Sequence, residues 1–184
     1  MLSRDEAIVL LKKYIREDYY LRRSYIVESI LKKLAKRLNK DEQVWGLTGL
    51  LHNIDYEYTS ENFQERGLLA EKILSGLIPE EGINAIKGNN YLHTNYAPVT
   101  SLDRSLIATT ELTELIFEII KYSKKHNITI VDVKGVYEKY KDEDNFPDIN
   151  RKRIKIIEDV GIDIEEFIKI SLYAIIKVKD QINL

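Results

Sequence analysis

Between Val44 and Leu51 the chain reads VWGLTGLL, without one charged side chain and with only Thr48 polar. A stretch so apolar on every side has no face to turn to water, so it must be covered all round. Asp41, just ahead of it, is a helix-capping residue type, and the run therefore reads as a central helix. Its two glycines, Gly46 and Gly49, weaken a helix by roughly 1 kcal/mol each relative to alanine. They make sense where a neighbouring helix approaches closely.

The rest of the chain supplies helices to surround it. Ser3 with Glu6 forms a capping box opening a helix through about Arg16, with Ala7, Leu10, Leu11 and Tyr14 on one face. A second helix from near Tyr20 carries Ile26, Ile30, Leu34 and Leu38 one turn apart and stops at Asn39, a residue tolerant of left-handed backbone. After Thr59 and Ser60 a helix runs to near Gly76, and Pro79 fits the first turn of the next, which reaches about Asn89. The polar, aromatic stretch 89–100 is predicted to be a loop. Thr100 and Asp103 open a long helix whose Leu102, Leu106, Thr109, Thr113, Ile116 and Ile120 share a face. Residues 128–133 are β-branched enough for a short extended segment without a partner strand. Short helices follow around 136–140 and 150–160, the latter stopped by Gly161. Asp163 with Glu166 opens the last, striped by Ile164, Phe167, Ile168, Leu172 and Ile175. The expectation is one all-α domain over residues 1–184, with a core of about 18–121 and C-terminal helices 132–180 packed on it.

Composition narrows the function classes. With 184 residues, 44% of them hydrophobic, the chain buries a core without staples, and it has no cysteine for disulfides, zinc ribbons or thiol catalysis. Its 28 basic and 30 acidic side chains leave a net charge of −2, so no global field draws it to nucleic acid or an acidic membrane. Without a signal-like N-terminus or an apolar run of spanning length, the expected location is the cytoplasm.

The central run continues as GLLHNIDYE (49–57), placing His52 and Asn53 at its end and Asp55 and Glu57 just beyond. Only His93 and His126 accompany His52 as imidazoles, and neither has a partner at ligand spacing. A lone histidine in an apolar helix is ordinarily a satisfied core residue. His52 and Asp55 are spaced as two ligands on one helical face would be; the plain alternative makes Asp55 and Glu57 solvated or capping groups at a helix end.

Several segments together resemble the HD superfamily of metal-dependent phosphohydrolases, in particular its small single-domain bacterial members. They are VWGLTGLLHNIDYE (44–57), ERGLLAEKIL (65–74), PEEGINAIKGNN (79–90), SLIATTELTELI (105–116) and NRKRIKIIEDVGIDIEEF (150–167). The resemblance implies an HD-domain-like helical bundle and a ligand set. The family's His-Asp pair falls on His52-Asn53, its upstream histidine on Arg23 and its distant aspartate on Thr110. Two further family histidines fall on Arg66 and Asn89. Of these six positions only His52 keeps the family's residue.

That pattern opposes metal binding, because arginine is permanently cationic and has no lone pair to give, while Asn53 and Thr110 lack the anionic oxygen of aspartate. The implied function is a degenerate HD-domain protein without metal-dependent phosphohydrolase activity, for which no cofactor is expected. Arg23, Arg66 and Lys87 would converge with His52 on the cleft and hold a small anion, a phosphate or nucleotide, directly. A filled scaffold is the bland version, with Arg23 and Arg66 paired to Glu28, Glu65 or Asp55. The alternative is an active phosphohydrolase of nucleotides or small phosphate esters using Mn, Mg, Fe or a similar divalent ion, with His52 and Asp55 in a rebuilt site. A third reading is an interaction module with an exposed apolar patch. Tyrosines flanking the cleft at 19–20, 56–58 and 91–96 would either stack on a base or pack between helices, and the basic run 150–153 reads as a solvated face.

Overall fold

The computed structural model describes residues 1–122, 128 and 131–182, and among these it contains ten α-helices and no strand. The first is α1 (Arg4–Tyr14), opened by the Ser3–Glu6 box, in which Ser3 N donates to Glu6 Oε2 at 2.8 Å. Helix α2 (Asp18–Arg37) begins two residues before its expected start, and just ahead of it the Glu57 carboxylate accepts from Arg16 N at 2.7 Å and Glu17 N at 2.8 Å. It ends where Asn39 takes a φ of 53°. Asp41 caps α3 (Glu42–Leu51), accepting from Gln43 N at 2.8 Å and Val44 N at 3.0 Å.

Every residue of α3 from Val44 on is buried, as its composition requires. Gly49 is what lets α2 lie against it: a Cβ there would stand 2.8 Å from Val27 O and 2.9 Å from the Glu28 backbone. Each fully buried leucine or isoleucine in this layer contributes about 1.5–3 kcal/mol.

After α3 the chain makes successive turns and a 3-10 turn at Phe63–Glu65, then α4 (Leu68–Leu74), α5 (Glu80–Asn89), α6 (Tyr91–Thr94) and α7 (Ser101–Tyr122). Pro79 stands one position outside α5 as its N-cap. The stretch expected as a loop contains α6, a single turn. Thr100 and Asp103 do cap α7 reciprocally, at 2.8 and 3.1 Å. Then come α8 (Val133–Lys141), α9 (Arg151–Lys155), a 3-10 turn at Ile156–Val160 ended by Gly161 at φ 82°, and α10 (Ile164–Ile182). Part of the segment expected to be extended, and His126 with it, lies outside the described residues. Where that segment is described, Val131 N donates to Ile128 O at 3.1 Å, a turn.

Helix α2 packs on α3, α7 and α10, and α7 packs on α5, α8 and α9, so one continuous apolar core joins the N-terminal and C-terminal helices. No helix among the described residues is long and apolar enough to cross a membrane.

Of the basic run 150–153, expected as a solvated face, Lys152 is exposed but Arg151 and Arg153 are part-buried and bonded within the protein. Arg151 donates to five main-chain carbonyls, among them Tyr140 O at 3.1 Å, Ile149 O at 2.7 Å and Asp142 O at 2.9 Å, and so ties down the α8–α9 connection. A guanidinium's five fixed donors suit a loop whose carbonyls would otherwise be unpaired.

Candidate functional site

Where α3 ends, the turn 52–58 brings Tyr56 inward, and its ring becomes the centre of a polar cluster between α2, α5 and α7. Arg66 lies over one face with its guanidinium carbon 3.8 Å from the ring centre, and the guanidinium of Arg23 is 5.8 Å from it. His52 meets the ring edge-on at 6.0 Å and Tyr20 at 5.8 Å. Asn89 Nδ2 donates to the Tyr56 hydroxyl at 3.3 Å, and the Thr110 hydroxyl donates to Asn89 Oδ1 at 3.0 Å. Arg23, His52, Arg66, Asn89 and Thr110, distant in sequence, are thus neighbours around one residue.

Asn53 and Lys87 are turned elsewhere. The Asn53 amide accepts from Ser24 Oγ at 2.7 Å and donates to Tyr20 O at 2.9 Å, pinning the end of α3 to α2. Lys87 pairs with Glu71 at 2.6 Å, beside the ring of Tyr96.

Electrostatically the two arginines differ. Arg23 comes from α2 and meets Glu114 of α7 in an ion pair, with a further bond to Thr110 O at 3.3 Å, and Glu114 also accepts from Tyr19 Oη at 2.6 Å. Glu28, an expected partner of Arg23 or Arg66, is instead gripped by Arg4 at 2.6 and 2.9 Å. Arg66 is half-buried, has one long bond to Thr59 Oγ1 at 3.4 Å, and has no carboxylate in ion-pair contact among the described residues. Its charge is felt by Asp55, whose pKa burial raises while Gly67 N, Ala70 N and Arg66 oppose the rise.

His52 is fully enclosed. Nδ1 lies 2.7 Å from Gly49 O, and since a carbonyl only accepts, Nδ1 carries the proton and Nε2 presents a lone pair. Burial first, and then the positive charge of Arg23, push its pKa down to about 3, so the ring is neutral at physiological pH. Neither His52 Nε2 nor Arg23 Nε has a hydrogen-bond partner among the described residues.

The carboxylates beyond His52 bind backbone N–H groups at or just ahead of helix starts. Asp55 Oδ2 accepts from Gly67 N at 2.6 Å and Ala70 N at 3.0 Å at the start of α4, where Gly67 has a φ of 88°. Glu57 holds the start of α2, as described above. The groups around Tyr56 do not form a donor set for a divalent cation: one imidazole, two neutral amide or hydroxyl side chains and two guanidiniums cannot balance its charge, and the nearby carboxylate of Glu114 is already paired with Arg23. Among the described residues no cluster of three or more His, Asp or Glu side chains is arranged to hold one.

Sequence reasoning placed Tyr56 only among the tyrosines flanking the cleft, and it missed Glu114, Glu111 and the inward turn of Arg153. Glu114 lies four residues after Thr110 on the same face of α7, a spacing that marks it. Arg153 enters from α9, donating to Glu111 Oε2 at 3.1 Å and Asn89 Oδ1 at 2.8 Å. It occupies space beside Thr110 that only the tertiary fold reveals. Comparison of the chain with protein families, with curated proteins and with solved structures finds no match in any of the three.

Proposed function

We propose that the chain is a degenerate relative of the HD phosphohydrolases, that it does not carry out their metal-dependent hydrolysis, and that it binds a small anion, a phosphate or nucleotide, on Arg66. The observation that carries this reading is the contrast between the two arginines. Arg23 is neutralised by Glu114, whereas the Arg66 guanidinium lies over the Tyr56 ring with no carboxylate in ion-pair contact among the described residues. A guanidinium fixed by stacking keeps its outward N–H groups for a bidentate acceptor and loses less entropy on binding.

Hydrolysis of a phosphoester in this family relies on metal-activated water, and the cation is what makes that water acidic near neutral pH. The cluster substitutes positive charge for the cation without supplying a base, since His52 Nε2 is enclosed and barely basic. Binding without turnover is the chemistry that follows.

Metal analysis of protein purified without chelator, followed by calorimetric titration with manganese and then with phosphate and a nucleotide panel, tests this. Expected are substoichiometric metal and anion binding that survives EDTA and is lost in Arg66→Ala. Tight stoichiometric manganese with phosphate release would replace this reading with the active hydrolase; no anion binding at all would leave a filled scaffold.

A further inference from the structure

A second charged surface lies away from the Tyr56 cluster. On α10, Tyr173, Ile176 and Lys177 are spaced to share a face, and all three are exposed, Tyr173 by 53% and Ile176 by 42%. Helix α2 packs alongside, with Ser29 Oγ donating to Ala174 O at 2.9 Å across the seam. Lys33 of α2 and Lys177 of α10 both place their ammonium groups against the Tyr173 ring, 5.7 and 5.4 Å from its centre. Neither is in ion-pair contact with a carboxylate among the described residues. A tyrosine face attracts each ammonium only weakly at an exposed site and does not cancel the repulsion between them.

The seam continues into two adjoining depressions of 310 and 330 Å³ that share Arg4, Glu28, Lys32 and Glu42. Their charged lining is four cations against two carboxylates, and one of those carboxylates, Glu28, is bound by Arg4 and lies 4.0 Å from the Lys32 ammonium. The sign is opposite to that of the whole chain, whose net charge is −2.

We propose that this seam is a docking surface for an acidic peptide segment of a partner protein. Its carboxylates would pair with Lys33 and Lys177, and an apolar side chain would lie on Tyr173 and Ile176. An exposed aliphatic side chain beside the lysines favours a peptide over nucleic acid, since it suits an apolar anchor rather than a phosphodiester.

The test is selection from a displayed library of random 12-residue peptides against the wild-type protein, followed by fluorescence anisotropy of the selected peptides. Expected sequences are enriched in Asp and Glu around an apolar residue. Their affinity should fall roughly tenfold or more in Lys33→Glu/Lys177→Glu and with added salt. Circular dichroism and a thermal melt check the fold of the double variant, and Lys177→Glu alone, at an exposed position, is the fallback. Recovery of no peptide, selection without acidic enrichment, equal binding to the reversed variant, or preferential displacement by single-stranded DNA would each overturn the proposal. Arg66→Ala should leave peptide binding unchanged, so this surface and the anion site stand or fall separately.

Discussion

The guanidinium carbon of Arg66 lies 3.8 Å from the centre of the Tyr56 ring, and Arg66 reaches that position from the residue just before the glycine that opens α4. The ring therefore sets where the charge points. Arg66→Ala should weaken phosphate or nucleotide binding by about 1.5–3 kcal/mol, the range for a bond to a charged group. Tyr56→Leu should weaken it too although no direct contact to the anion is removed, whereas Tyr56→Phe, which keeps the ring and loses only the 3.3 Å bond from Asn89, should bind normally. Calorimetry on the three variants separates a positioning role of the ring from a role of its hydroxyl.

Arg23 and Glu114 join α2 to α7, and Arg23 is the more buried partner, with 11% of its side chain exposed against 29% for Glu114. Arg23→Ala should cost about 2–3 kcal/mol in urea unfolding, below the range for a fully buried pair because Glu114 remains wetted and keeps its bond from Tyr19. Replacing both members by apolar residues, as in Arg23→Met with Glu114→Leu, should recover much of that loss. A coupling near zero in the double-mutant cycle would show that the pair contributes nothing to the α2–α7 contact.

Most of the helical plan was legible because it rests on local chemistry. The boxes at Ser3 and Thr100, the Asp41 cap and the left-handed Asn39 each need only residues within one turn. The site was legible only as a set of positions. That Arg23 faces Glu114 instead of Glu28, that Glu57 reaches back to α2, and that Arg153 arrives beside Asn89 all depend on contacts across 40 or more residues, which no periodicity encodes. The α2 start also differs from the expected one, and the carboxylate that holds the residues just ahead of it, Glu57, comes from a distant turn.

The two glycines of α3 should respond differently to substitution. Gly49→Ala puts a methyl 2.8–2.9 Å from the α2 backbone, which cannot step aside, and should destabilise by about 3 kcal/mol or more through overpacking. Gly46→Ala meets only the Lys32 stem, at 2.8 Å from Cγ, and that side chain is free to swing. Gained helix propensity of up to about 1 kcal/mol then offsets the contact, so its unfolding midpoint should stay near wild type. Equal losses at both positions would mean that α2 does not approach α3 at Gly49 as described.

His52 gives the fold a pH dependence whose sign follows from its lowered pKa. The folded protein holds the ring neutral down to about pH 3, whereas the unfolded chain protonates it near 6.5. Between those values the unfolded state binds the extra proton, so the contribution of His52 is complete above pH 6.5 and is lost as pH falls towards 3. One proton corresponds to about 1.4 kcal/mol per pH unit on the steep part of the window. Urea unfolding of wild type and His52→Gln from pH 7.5 to 4.5 isolates this group, because the exposed His93 and the carboxylates are common to both proteins. The wild type should lose stability faster on acidification, by close to that slope below pH 6. Parallel profiles would mean that His52 takes up its proton in the folded state, with its ring reached by solvent and the Tyr56 cluster open instead of closed around it.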